Sequence, residues 1–558
     1  MTRWYASIFA LATSIAVAAN ALTDVVSEDV ARFTALLASP VPKRRIEGIQ
    51  GLSHLKHWPA EEKLLRLLDD QPFDVSRETL LAIARLGTSQ SIQRLIQLLD
   101  DPSWEIRENA SLALERMTAR ERSHDASEWQ KWWDASPLAQ KQQELLTTAT
   151  TRRTNATPST ESETIIARGK RVPRKRASVT PSVFPERREA LRALRHLADA
   201  SNEAALIAVL SKPQVPPLDL DERTFVCDAL ERAGTTNSIQ VLTSQRIDAA
   251  AWALGRIGGV DAERALRSFP PTLSMFLALD RLHSTNCAPW IPILVSQMAQ
   301  ITYRSHPDDV MNDDLQPIQR VGVNLIRRSG LASQLIECAL QELEDTMKPA
   351  ISHGARPAVP AEWNEMFKRM RSELKPGFVR EDGVTTSQPI VAMCYLADDP
   401  SLAKRLIPLL QHPAVVPRVY VALALGRLRA KEALPTLAKI IDEGYSFSDS
   451  TALASGKHFD QSQTVRWRGF VCMALGRLGG DDARLALERY AGDPSRPRDV
   501  RYSSVVGLRF IASPQSLPAL ERVAREDLIW MVRNEAQLAS EHIRILSAES
   551  QPTLEARK

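Results

Sequence analysis

Apolar residues recur along the chain at the three- and four-residue spacing of one face of an α-helix. Three such stretches follow one another between residues 46 and 117, each preceded by a shorter amphipathic stretch. Their apolar positions are Ile46, Ile49, Leu52 and Leu55, then Leu80, Ile83 and Leu86, then Ile106, Ala110, Ala113 and Met117. The pattern predicts pairs of helices that each bury one face.

An Arg stands near the start of the longer helix of these pairs, six residues before a position on the apolar face. The eight Arg are Arg45, Arg77, Arg107, Arg223, Arg418, Arg468, Arg501 and Arg533. Where neighbouring copies are uninterrupted, the Arg lie 30 to 33 residues apart. A fixed period of this size with two amphipathic stretches is typical of an all-α protein built as an α-solenoid.

The repeat is interrupted at residues 147–185, where Thr, Ser, Pro and Arg dominate. So little apolar surface cannot offset the entropy lost on ordering, which predicts a basic disordered linker between two solenoid segments. The predicted organisation is a signal peptide at 1–21, N-terminal repeats at 22–146, the linker, and a C-terminal solenoid at 186–548 with an insertion at 442–465.

Three tryptophans, Trp129, Trp132 and Trp133, share one helix face near the end of the first predicted segment. A large apolar face suits a cap over the open end of a repeat stack. The alternative is an aromatic surface that stacks on a sugar or binds a peptide.

Charge is concentrated in the linker. Residues 147–180 carry eight basic and two acidic side chains, a local charge of +6, so the rest of the chain of net charge +4 carries about −2. A solenoid that wraps nucleic acid would carry its positive charge along the repeats, so nucleic acid is not the predicted partner. Binding of a polyanion through the linker remains an alternative.

The first 21 residues resemble an export signal. Arg3 precedes an uncharged apolar stretch at 6–19, and Ala19-Asn20-Ala21 fits cleavage between small residues. We therefore expect a periplasmic or secreted protein, the alternative being an uncleaved N-terminal membrane anchor. The five Cys form no CxxC pair, and four lie in apolar helical runs, so core packing is expected rather than a disulfide framework.

Several short motifs of the Ala-Leu-Gly-Arg type resemble HEAT repeats of the bacterial phycobilisome-lyase-like type. They are Ala424-Leu425-Gly426-Arg427-Leu428, Ala474-Leu475-Gly476-Arg477-Leu478-Gly479, Ala253-Leu254-Gly255-Arg256-Ile257-Gly258 and Ala82-Ile83-Ala84-Arg85-Leu86-Gly87. The resemblance implies a solenoid of HEAT-like repeats. It also implies close helix contacts at the Gly, and an Arg at the head of each second helix that pairs with a carboxylate of a neighbouring turn.

Catalytic chemistry finds little support. Deoxyhypusine hydroxylase, an enzyme built from such repeats, carries iron on His-Glu dipeptides, and none of the ten His here precedes Glu. His54 and His57 could share a helix face but lack a third ligand, and Gly456-Lys457 lacks the phosphate-loop spacing. We therefore predict no catalytic, cofactor-binding or metal-binding residue. An enzyme or enzyme subunit of lyase or oxidoreductase type is the alternative that fold resemblance alone allows.

The segment between Arg418 and Arg468 spans 50 residues, and the surplus over one repeat falls at 442–465. Insertions in solenoids form loops on one edge, often the binding edge. Aromatic and cationic side chains dominate binding hot spots. The predicted partner-binding residues are Tyr445, Phe447, Lys457, His458 and Trp467. A competing possibility is that Phe447 and Phe459 only fix the loop to the solenoid.

The sequence thus predicts an exported, non-catalytic scaffold or adaptor that binds another protein. A small-molecule substrate is not expected, and membrane association is expected only if the N-terminal segment stays uncleaved.

We predict cleavage between Ala21 and Leu22, because the small residues Ala19 and Ala21 fit the small-x-small pattern that the export peptidase cleaves. N-terminal sequencing and intact mass of protein from the native host should give a chain that starts at Leu22. Recovery of the full-length chain in the membrane fraction would instead support the anchor.

Overall fold

The computed structural model of the protein describes residues 23–69, 72–150, 163–167, 170–174, 185–212, 214, 217–304, 317–347, 388–412, 415–443 and 461–549. The fold is an all-α solenoid of helix pairs, as the sequence predicts, with one short hairpin of strands. Two compact units, Met1–His283 and Ser284–Lys558, divide the chain. They are called unit 1 and unit 2.

Unit 1 contains fifteen described helices. They are α1 (Val25–Leu36), α2 (Pro42–His54), α3 (Glu61–Arg66), α4 (Phe73–Leu86), α5 (Ser89–Gln97), α6 (Trp104–Thr118), α7 (Ala126–Ala135), α8 (Leu138–Thr150), α9 (Pro185–Leu197), α10 (Glu203–Ser211), α11 (Leu220–Ala233), α12 (Ile239–Gln245), α13 (Asp248–Ile257), α14 (Gly259–Leu266) and α15 (Leu273–Arg281).

Eight of these helices close into a ring. Helices α1, α2, α4, α6, α9, α11, α13 and α15 pack side by side in that order, and α15 returns to contact α1. At this closure the Val25 backbone N–H donates to the buried Asp280 carboxylate over 2.7 Å. The remaining helices of unit 1 pack on these eight as a second layer.

Contacts between acidic and hydroxyl side chains join neighbouring helices of the second layer. Glu61, at the start of α3, accepts hydrogen bonds from the Thr88 backbone and from Ser91 at the start of α5. Glu203 repeats this arrangement with Thr235 and Ser238 before α12. Each carboxylate thereby satisfies free N–H or O–H groups of the next repeat.

Unit 2 is described by twelve helices. They are α16 (Ile291–Arg304), α17 (Pro317–Arg328), α18 (Ala332–Met347), α19 (Gln388–Leu396), α20 (Ala403–Leu409), α21 (Val415–Arg427), α22 (Leu434–Glu443), α23 (Gln461–Leu478), α24 (Asp481–Gly492), α25 (Arg498–Ile511), α26 (Leu517–Glu526) and α27 (Trp530–Glu549). Helices α19, α21, α23, α25 and α27 pack consecutively, and α20, α22, α24 and α26 form the second layer.

Glycines of the Ala-Leu-Gly-Arg motif set the separation of consecutive long helices. A Cβ added to Gly476 would lie 2.4 Å from Cα of Gly507, and one on Gly255 would lie 2.8 Å from Cβ of Ala278. Both distances are shorter than van der Waals contact, so a larger residue would push the helices apart. The close approach expected from the motif is therefore present in both units.

The recurring Arg mainly bind backbone oxygens. Arg45 and Arg107 each donate over 2.6 Å to the carbonyl oxygen six residues earlier, and Arg533 does so over 2.8 Å. These carbonyls lie in the turn that joins the two helices of a pair. Arg501 also forms the expected carboxylate pair, with Asp527 at 2.7 Å. The recurring position of these Arg therefore serves hydrogen bonds to the inter-helix turn more than a ladder of ion pairs.

The compact units divide at a different place from the predicted segments. Helix α9, the first after residues 147–185, packs on α6 and α8, and Leu197 belongs to the same apolar core as Trp129. The loss of apolar period thus marks an insertion between consecutive repeats of one unit. Trp129 is buried and its indole donates to the Ser123 carbonyl oxygen over 3.0 Å, but the ring continues past it through α9.

Within the segment predicted as disordered, the structure contains an antiparallel hairpin of β1 (Glu163–Ala167) and β2 (Lys170–Arg174). Ile165 pairs with Val172 in its register. β-branched residues favour strands, which accounts for a hairpin at this point.

Residues 1–22 lie outside the described part of the chain. Within the described residues, every helix is too short or too polar to span a lipid bilayer. The five Cys are unpaired and four are buried, as core packing predicts. Burial raises the pKa of Cys227 and of Cys472 to about 12, so both thiols stay protonated and unreactive.

We expect Arg501→Ala to lower the free energy of unfolding by about 2 to 3 kcal/mol, because it removes the charged hydrogen bonds that Arg501 donates to the Asp527 carboxylate. Burial alone would raise the pKa of Asp527, but the hydrogen bonds from Arg501 and the Ile529 backbone outweigh it and lower the pKa. The stabilisation by the Arg501–Asp527 pair is therefore present above the ordinary Asp pKa and is lost as the pH falls through the lowered pKa of Asp527. Chemical denaturation at several pH values measures the free energy of unfolding.

Arg498→Ala is the matched control, since Arg498 is exposed and its ion pair among the described residues is with its neighbour Asp499. We expect it to cost less than about 1 kcal/mol. Equal losses in the two variants would contradict the structural role of Arg501.

Candidate functional site

The predicted partner-binding residues lie where the structure gives no side chains. Tyr445, Phe447, Lys457 and His458 are outside the described residues, and α22 ends before them at Glu443. Trp467 lies in α23, directly before Arg468, but its side chain is likewise outside the description. The insertion therefore stays a prediction from sequence.

A different cluster is found where the ring helices of unit 1 end. We call it the basic end and define it by Lys56, His57, Trp58, Arg232, Arg256 and Arg281. Lys56 to Trp58 follow α2, and the three Arg lie in the last turns of α11, α13 and α15. Four separate segments of the chain contribute to it.

Two cations show that these helices end on the same side of the ring. Arg195, near the end of α9, donates to the Arg85 carbonyl oxygen over 2.8 Å. Arg232 donates to the Leu86 carbonyl oxygen over 2.6 Å and to that of Gly87 over 3.3 Å. The last carbonyls of a helix lack intrahelical donors and carry partial negative charge. These two guanidinium groups satisfy them, and their role is structural.

Two carboxylates are buried beneath the basic end. Asp228 accepts from Lys56 Nζ over 2.7 Å and lies 3.7 Å from the Arg195 guanidinium. Glu231 is buried, and its Oε1 has no hydrogen-bond partner. Burial, helped by the charge of Asp228, raises the pKa of Glu231 to about 7. Glu231 is therefore partly protonated at neutral pH, and the cluster keeps an excess of positive charge.

Trp58 orients the arginines. Its ring lies 5.0 Å from the Arg256 guanidinium carbon and 5.9 Å from that of Arg232. Both distances fit cation–π contacts, which hold a guanidinium plane in a fixed direction. Trp58 itself belongs to the corner between α2 and α3, so the contact joins the first repeat to the last ones of the ring.

Arg256 and Arg281 have no protein anion of their own. Neither forms a hydrogen bond or ion pair with any residue in the described part of the chain. Burial and then the charge of Arg281 lower the pKa of Arg256. Burial, followed by Arg256, Arg281 and Lys63, lowers the pKa of His57 to about 4, so its ring is neutral at neutral pH. Two half-buried positive charges thus stand near each other, and the acidic group that acts on Arg256 is the partly protonated Glu231.

One part of this site, Arg256, lies in the Ala-Leu-Gly-Arg motif that is visible in the sequence. The motif that contains Arg256 recurs with Arg427 and Arg477, which lie over the rings of Tyr395 at 4.9 Å and Phe510 at 4.7 Å. Stacking on an aromatic ring is thus a repeat feature. His57 also belongs to the His54 and His57 pair, which lacks a third metal ligand in the sequence. Among the described residues, no group of three or more His, Cys, Asp or Glu could bind a metal ion.

Comparison with known proteins agrees with the helix pairs. The family described as HEAT repeats matches residues 30–115 and 457–541, and the PBS lyase HEAT-like repeat matches residues 417–443. A crystal structure of importin beta in an ammonium sulfate condition is similar at 12% identity, covering 93% of this chain and 80% of that chain, with a TM-score of 0.26. A TM-score this low does not establish a common arrangement of helices.

The comparison with curated protein sequences found no significant match. The matched repeats lie in both units, and the described residues of each unit form stacked helix pairs. The chain is a HEAT-repeat protein.

Proposed function

We propose that this protein is an exported, non-catalytic scaffold that binds a protein partner through unit 1. HEAT-repeat solenoids commonly mediate protein interactions, because stacked repeats offer an extended surface. The export signal predicted at residues 1–21 supports the location.

One observation carries the proposal: four ring helices begin with an exposed apolar residue. We call these residues the apolar rim. They are Phe73 of α4, Trp104 of α6, Leu220 of α11 and Leu273 of α15, with exposed fractions of 42%, 60%, 57% and 39%. Isolated exposed apolar residues are ordinary, but residues that recur on one side of a ring form a surface.

The contacts at both ends of the helices place the rim on one side. Because the ring helices end together at the basic end, their first residues lie together on the opposite side. Arg187 pairs with Glu222 at 2.6 Å, joining the starts of α9 and α11. Thr272 donates to Asp248 over 2.7 Å, joining the starts of α15 and α13. Trp and Phe in such a position are the residue types enriched in protein interfaces.

We expect a photo-crosslinking residue at Trp104 to capture one protein from the extracytoplasmic fraction of the native host. Binding would remove the apolar surface of the rim from water, and this burial favours the complex. Trp104→Ser should therefore also reduce capture several-fold. Trp530, 66% exposed at the start of α27, is the matched control for the same substitutions. Equal capture at positions 104 and 530 would contradict binding at the rim.

The insertion is the competing location for the partner. Replacing residues 446–462 by a Gly-Ser linker should leave capture through Trp104 unchanged if the rim is the surface. Loss of capture, with helix content preserved by circular dichroism, would place the partner at Tyr445 to Trp467 instead.

A further inference from the structure

The side of unit 1 opposite the apolar rim holds the best-formed group of charges without partners. Helices α13 and α15 approach closely at Gly255 and Ala278. Arg256 follows Gly255 directly, and Arg281 lies three residues after Ala278, on the same side of α15. The close approach therefore brings both guanidinium groups to the place where the two helices end.

The neighbouring cations differ from this pair in their contacts. Lys56 is neutralised by Asp228, and Arg195 and Arg232 donate to the carbonyl oxygens that end α4. Only Arg256 and Arg281, among the arginines of the basic end, leave all their N–H donors without an acceptor in the described residues. The guanidinium nitrogens of both residues stay accessible to water, and an anion between the two like charges would offset their mutual repulsion.

The charge of the site decides which anion fits. Each helix that ends there contributes about half a negative charge through its last carbonyls. Two arginines and two helix ends therefore leave about one positive charge. Buried Glu231 lies within electrostatic range of Arg256 and would repel a second negative charge. The balance favours a singly charged anion over a dianion.

We propose that the basic end of unit 1 binds a carboxylate group between the guanidinium groups of Arg256 and Arg281. The planar fork of an arginine matches the two oxygens of a carboxylate, and Trp58 holds the fork of Arg256 in place. The carboxylate belongs either to a free organic acid or to an acidic side chain of a bound peptide. This inference does not rest on the apolar rim, which lies on the other side of the ring.

His57 provides the readout. A bound carboxylate offsets the charges of Arg256 and Arg281, so the pKa of His57 should rise from about 4 toward its ordinary value. With less positive charge nearby, the His57 ring takes up its proton at a higher pH. The midpoint of the His57 titration should therefore move to higher pH as carboxylate is added. NMR of the full chain labelled at histidine follows this midpoint, and His57→Gln identifies its signal.

The probes are acetate, sulfate and a short peptide, blocked at both ends, that contains one Glu, with acetate and the peptide counted as their ionised forms. We expect acetate and the Glu peptide to raise the His57 midpoint, and sulfate, which keeps two negative charges at about pH 4, to act only at higher concentration. Tighter binding of the peptide than of acetate assigns the carboxylate to a protein segment, and equal binding assigns it to a free acid. The same peptide with Gln in place of Glu should have no effect.

Arg281→Gln should weaken the acetate effect about tenfold, the loss expected for a charged hydrogen bond. Arg281 has no hydrogen bond or ion pair among the described residues, so this variant should fold. Arg264→Gln, at an exposed arginine of α14, is the matched control and should behave as wild type. The proposal is wrong if no carboxylate moves the His57 midpoint, or if Arg281→Gln responds as the control does.

Discussion

The separation of consecutive long helices is the constraint on which the structure depends. Gly476 lies against Gly507, and Gly255 against Ala278, so closely that no side chain fits between them. Backbones packed at this distance bury their flanking apolar residues completely, and each helix must run beside the next in nearly the same direction. The recurring Arg then caps the turn that leads into each such helix.

Parallel helices that end together place the negative ends of their dipoles side by side. Their last carbonyls carry partial negative charge, and unit 1 meets that charge with arginines and Lys56 rather than with water alone. The same arrangement concentrates cations at one place. Arg195 and Arg232 donate to helix-end carbonyls, and Lys56 pairs with Asp228. The guanidinium groups of Arg256 and Arg281 are the ones proposed to bind a ligand. Structure and binding capacity thus share one origin.

The repeat could be predicted from sequence because its determinants are local. The apolar spacing, the Gly of the motif and the Arg six residues before the apolar face all act within one repeat or between neighbours. Ring closure could not be predicted, since Val25 and Asp280 are 255 residues apart. The basic end depends on that closure, because it joins the corner at Trp58 to α11, α13 and α15. The interruption at 147–185 does not coincide with the boundary between the two compact units, because composition does not show where the chain returns.

The contact between α1 and α15 has a consequence for how the two units lose their structure. A linear array of repeats frays from its terminal repeat, where a helix has a neighbour on one side only. Among the described helices of unit 2, α27 packs beside one long helix only, α25. The ring of unit 1 has no such helix among those described, because each of its eight helices is flanked by two others. Heat or denaturant must therefore break two helix interfaces at once to open the ring, which makes its melting more cooperative than that of an open stack of equal size.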